Sequence, residues 1–135
     1  MVFGKYFFIN NGFIDKNGII QFVNEDATNK AGTITANRGG SVGFFFYQPI
    51  DYIATPVDVR ILTPKFVINK YIGFFLTTIL HQEKYRFNYS RKMGSDRLGK
   101  IKIKLPSNKQ GKPDFLYMEN YIKSLPYSSS IETIF

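Results

Sequence analysis

Ten of the chain's eighteen lysines and arginines fall between Lys84 and Lys112, with a single acid, Asp96, among them. That stretch carries a net charge of +9 in a chain whose total is +8, so the remainder is close to neutral. Ammonium and guanidinium groups gathered in this way do one kind of chemistry well, which is to neutralise a polyanion. Within the stretch, Lys100 to Leu105 alternates strictly. A period of two predicts a half-buried strand, with Ile101, Ile103 and Leu105 on one face and Lys100, Lys102 and Lys104 on the other. Just before it, Arg91-Lys92-Met93-Gly94-Ser95-Asp96-Arg97 reads as a loop broken by Gly and Ser, and Tyr85, Phe87 and Tyr89 precede that. Two readings stay open at this level. The lysine row is a nucleic-acid face, or it is a solvated edge whose charges discourage aggregation.

A second basic feature sits on a hairpin. TITAN and VGFFFY are rich in β-branched and aromatic residues and flank Arg38-Gly39-Gly40-Ser41. Glycines permit close backbone approach to a partner, which would put Arg38 and Ser41 at a contacting tip. An ordinary glycine turn explains the same residues. The run is not a nucleotide-binding P-loop, since no Gly-Lys-Ser/Thr follows.

Groups suited to catalysis are sparse. His81 is the only histidine and there is no cysteine, so thiolate metal sites and disulfides are excluded. A helix-end histidine is the expected role for His81. Glu25-Asp26 and the Asp51 and Asp58 pair lack the context of a paired acid–base site. The chain reads as a binding module without chemistry of its own.

The elements that must position these residues follow from pattern. Chain length, 135 residues, suits one domain, and 44% hydrophobic content suffices for a core. Tyr6–Ile9 and Ile19–Val23 read as short strands, with turn signals at Asn10-Asn11-Gly12 and Asp15-Lys16-Asn17-Gly18. Residues 50–66 read as extended segments broken by Pro56 and Pro64, with a strand over 58–62. Asn69 N-caps a helix over 69–83, where Tyr71, Ile72, Phe75, Leu76, Ile79 and Leu80 form one apolar stripe. Pro113, placed at a first helical position, and Asp114 in the first turn open a second helix, with Phe115, Met118, Ile122 and Leu125 on its apolar side and Pro126 as its stop. The consecutive aromatics Phe44 to Tyr47 are expected to bury on both faces of a covered sheet. Their rival role, with Tyr6, Phe7 and Phe8, is to stack the bases of single-stranded DNA or RNA. The fold class expected is α+β: a twisted, mostly antiparallel sheet with two packed helices, one domain over 1–128 and a tail over 129–135. The N-terminus has no signal-peptide pattern, and Tyr71–Leu80 is too short for a membrane helix, so a cytoplasmic protein is expected.

A resemblance emerges from longer segments taken in order. ITANRGGSVGFFFYQPIDYIATPVDVRILTPK is followed by NKYIGFFLTTIL, then YRFNYSRKMGSDRLGKIKIKLP, then GKPDFLYMENYIKSLPYS. This series, over roughly residues 33–128, resembles the target recognition domain of type I restriction–modification specificity subunits and related type II specificity domains. The resemblance implies a non-catalytic module that reads one half of a split duplex DNA target. It implies a methyltransferase subunit as partner and a restriction subunit as a further one, with a homodimer or a second specificity half completing the target. S-adenosylmethionine, magnesium and ATP would belong to those partners, leaving this chain without a cofactor. The candidate DNA contacts are Arg38, Ser41, Asn88, Arg91, Lys92, Arg97, Lys100, Lys102 and Lys104. A third reading is a protein-interaction or decoy module in which the second helix matters more than the lysines.

Overall fold

The computed structural model describes residues 6–9, 19–23, 27–38, 43–54, 59–83, 85, 98–126 and 128–129. Among the described residues six strands and two long helices follow in order: β1 (Tyr6–Ile9), β2 (Ile19–Val23), β3 (Thr33–Asn37), β4 (Phe45–Gln48), β5 (Tyr52–Ala54), β6 (Val59–Leu62), α1 (Lys70–His81) and α2 (Phe115–Ser124). The α+β class holds, with the strands divided between two three-stranded sheets ordered β2-β1-β5 and β4-β3-β6. Every pairing is antiparallel except β1 with β5, which run parallel.

The hairpin expected around Arg38 is present as β3–β4, with Ile34 opposite Tyr47 and Ala36 opposite Phe45. Strand alternation turns those four residues to one side, where they join Ile72, Leu76 and Leu80 of α1 and Met118 of α2 in the main core. The other side of β3 is polar yet equally buried. Thr35 Oγ1 donates to the Phe46 carbonyl and accepts from Gln48 Nε2, and Thr33 Oγ1 meets the Tyr52 hydroxyl at 2.7 Å. Buried hydroxyls and amides are tolerated there because they find one another. Burial pushes the Tyr47 and Tyr52 hydroxyls above the usual tyrosine range; the bond to Thr33 pulls Tyr52 back toward it. Phe45, Phe46 and Tyr47 are all buried, as expected of a covered sheet, which removes them as a stacking platform for bases.

Helix α1 starts where its cap predicts: Asn69 Oδ1 accepts from the Ile72 amide at 2.9 Å. Its buried residues are Tyr71, Ile72, Gly73, Leu76, Thr77 and Leu80. Gly73 lets the helix lie directly on β4, since a Cβ there would stand 2.4 Å from the Tyr47 ring. The second helix begins two residues later than its proline suggests. Asp114 is the N-cap, accepting from the Tyr117 amide at 3.0 Å, and Pro113 lies outside the helix, bridged to Ser107. An aspartate carboxylate that reaches an orphan amide fixes the start more firmly than a favourable proline φ. Met118 and Ile122 are buried against α1. The Asn69 side-chain amide also donates to Glu119, and Glu119 pairs with Lys123, so the cap of α1 is tied to α2.

Candidate nucleic-acid interface

The basic segment after α1 re-enters the described structure at Leu98. Leu98 and Gly99 are helical and Lys100 lies in a turn, which the Ile101 amide closes by donating to the Leu98 carbonyl at 3.3 Å. From Ile101 to Leu105 side chains alternate between half-buried and exposed as the sequence predicts. The expected strand is absent, however: among the described residues this run joins no β-ladder. Alternation reports which side of a chain meets the core, and packing can impose that without a hydrogen-bonded neighbour. Ile101, Ile103 and Leu105 supply the packing, against the cluster formed by Ile34, Leu76 and Leu80. Leu62 and Phe66 complete an apolar cleft over which the run is laid.

Lys100, Lys102 and Lys104 are exposed on the opposite side. Ammonium groups gathered on one side repel one another, by about 0.6 kcal/mol for a pair ~6.6 Å apart in water before screening. A row of phosphates relieves that repulsion and exchanges its own counterions for the lysines.

The following turn presents two more cations, and it is built differently. Asn108 Oδ1 accepts from the amides of Gln110 and Lys112, at 2.9 and 3.1 Å. Asn108 N donates to the Lys112 carbonyl, and Gly111 N to the Asn108 carbonyl. Gly111 has φ +75°, a conformation that favours glycine, and Asp114 N donates to Pro106 O to close the base. Lys109 and Lys112 therefore stand exposed on a hydrogen-bonded frame. They were not among the contacts expected from sequence. Their signal was an asparagine three residues ahead of a glycine, the mark of a side-chain-closed turn.

Arg38 follows β3 directly and is half-buried. The Asn37 amide donates to the Phe44 carbonyl at 3.0 Å, so the ladder runs up to its doorstep. Ser41, Asn88, Arg91, Lys92 and Arg97 lie outside the described residues. His81 is at the helix end, as expected, and makes a specific contact there: its Nε2 accepts from the Phe45 amide at 2.9 Å. Among the described residues no group of three His, Asp or Glu side chains could hold a metal ion, and no helix is long and apolar enough to cross a membrane.

Comparison with known proteins bears on this basic face. A curated relative, the Type II restriction enzyme BgcI specificity subunit S.BcgI of Heyndrickxia coagulans, is 28% identical over 107 residues, covering 78% of this chain. The chain spans only 31% of that relative's length. No solved structure gives a significant match. The family model for the type I restriction modification DNA specificity domain matches residues 3–129, nearly the whole sequence and well beyond the motifs from 33 onward, and the chain belongs to that family.

Proposed function

We propose that this chain is a sequence-reading module for double-stranded DNA in a restriction–modification system, and that it contributes recognition and no catalysis. The observation that carries this is the run 100–105, whose Ile101, Ile103 and Leu105 pack on the core while Lys100, Lys102 and Lys104 are exposed. Phosphate contacts from Lys100, Lys102 and Lys104, joined by Lys109 and Lys112, supply affinity and orientation, and Arg38 at the end of β3 is a base reader. Ser41, Asn88, Arg91, Lys92 and Arg97 belong to the same contact set on their sequence alone. Asn88 and Arg91 are the candidates for bidentate base contacts in the major groove. Methyl transfer and cleavage fall to a methyltransferase subunit and a restriction subunit, which bring S-adenosylmethionine, magnesium and ATP. A second specificity half or a homodimer completes the split target that the family resemblance implies.

The test is selection from a randomised duplex DNA pool at two salt concentrations. A short enriched motif, bound more weakly at high salt, is expected. Salt-sensitive binding without enrichment would reduce the chain to a general polyanion binder.

A second reading is favoured by α2. Its outer side exposes Leu116, Tyr117 and Tyr121, with the two tyrosine rings stacked at 6.3 Å between centroids. That face suits a protein partner, and a methyltransferase subunit is the occupant the family suggests. Capture of that subunit by the triple variant Lys100→Ala, Lys102→Ala, Lys104→Ala would show that the face works independently of DNA.

A further inference from the structure

We propose that His81 is a positioning residue for DNA reading: as a neutral imidazole it clasps the outer edge of β4 and thereby fixes Arg38 at the end of β3. The inference rests on the DNA-reading function proposed above. Among the described residues, strand β4 pairs with β3 alone. No described strand continues the ladder beyond it, and Phe45 is almost completely buried, so the Phe45 amide needs an acceptor away from water. His81 Nε2 provides it at 2.9 Å. A ring nitrogen that accepts an N–H carries no proton itself, which fixes the neutral imidazole with its hydrogen on Nδ1. The ring is held in place by aromatic edges, lying 70° to Phe44 and 78° to Phe46.

The position of this contact gives it a role beyond packing. On the inner edge the Asn37 amide donates to the Phe44 carbonyl, and the Gly43 amide donates to the Asn37 carbonyl. On the outer edge the next amide, that of Phe45, donates to His81. The backbone at Phe44–Phe45 is thus gripped from both sides, one residue pair before the chain leaves the sheet. Arg38 is the first residue past the gripped ladder. Arginine reads guanine only when its planar fork is aimed, and a side chain starting from a shifting strand end loses that aim. Phosphate attraction tolerates such movement, because it depends on charge more than on angle. Loss of the clasp should therefore reduce discrimination between sequences and leave general DNA affinity in place.

Two variants separate the clasp from ring packing. His81→Phe keeps an aromatic ring against Phe44 and Phe46 but has no acceptor. His81→Gln returns a carbonyl oxygen to the place of Nε2. Two quantities are read for each: amide hydrogen exchange at Phe45, and affinity for a selected duplex relative to a scrambled one. His81→Phe is expected to speed exchange at Phe45 and to cut the affinity ratio by about tenfold, the equivalent of one misread base pair. Scrambled-duplex affinity should stay within about twofold, since phosphate contacts are untouched. His81→Gln should restore both quantities. An unchanged ratio in His81→Phe, or an equal fall in both affinities, overturns the proposal. The wild-type protein supplies a mutation-free check through the nitrogen shifts of its imidazole, where protonation at Nε2 would overturn the clasp. Wild-type protein that selects no motif would overturn the DNA-reading function and this role with it, and Phe45 exchange would still show separately whether the clasp exists.

Discussion

The run Ile101–Leu105 and the turn 107–113 adjoin in sequence and both present lysines, but different forces hold them. The run is placed by three half-buried aliphatic side chains and joins no ladder among the described residues. The turn is placed by backbone and Asn108 hydrogen bonds, and its outward residues bury little. Apolar packing is non-directional, so the first lysines ride a rail able to slide and twist with a partner's backbone. Hydrogen bonds are directional, so Lys109 and Lys112 are fixed at one distance from the start of α2. On the DNA-reading function proposed above, the first set would adapt to a duplex whose groove width varies with sequence and the second would mark register.

The largest expected effect comes from removing the adaptable row. Replacing Lys100, Lys102 and Lys104 together by Ala should flatten the salt dependence of binding by up to about 2.7 in log–log slope and weaken binding on the order of 100-fold at 0.1 M salt. Fluorescence anisotropy across a salt series measures both, and an intact slope would mean that these lysines only face water. Next comes the rail itself. Ile103→Ala should cost about 2 kcal/mol of stability, the low end for an aliphatic truncation because the site is half-buried. A melt unchanged by this variant would show that packing does not hold the run. Asn108→Ala deletes the acceptor for two amides and should cost about 1 kcal/mol, while reducing the binding contribution of Lys109 and Lys112 but not of the lysine row. If both sets weaken together, the distinction between rail and frame fails. Gly111→Ala should have the smallest effect, roughly 1 kcal/mol or less, because φ +75° is strained for alanine although open space surrounds the new Cβ. Chemical denaturation curves for the last two variants rank them directly.

Local signals were legible in the sequence where one side chain decides the outcome. Asn69 announced the start of α1, the β-branched and aromatic runs announced β3 and β4, and alternation announced which side of residues 101–105 meets the core. The same alternation misled about the ladder, because burial pattern and hydrogen bonding are separate properties that usually coincide. Pro113 misled about the start of α2 because a preference was read where Asp114 makes an actual bond. Long-range features left no mark to read. The parallel pairing of β1 with β5, the approach of Gly73 to Tyr47 and the reach of His81 to Phe45 each depend on residues far apart in sequence. Of the expected DNA contacts, Arg38 and the three lysines fall within the described residues, and the lysines share one exposed side.

The parallel pairing also orders events in time. Ile34 meets Tyr47 across thirteen positions, whereas Phe7 meets Tyr52 across forty-five, with the β3–β4 hairpin enclosed between them. Closing the longer loop costs about 1 kcal/mol more chain entropy, and it cannot begin during synthesis until β5 has emerged. The hairpin that carries Arg38 thus assembles as a local nucleus, and the β1–β5 seam is sewn afterwards around a piece already formed.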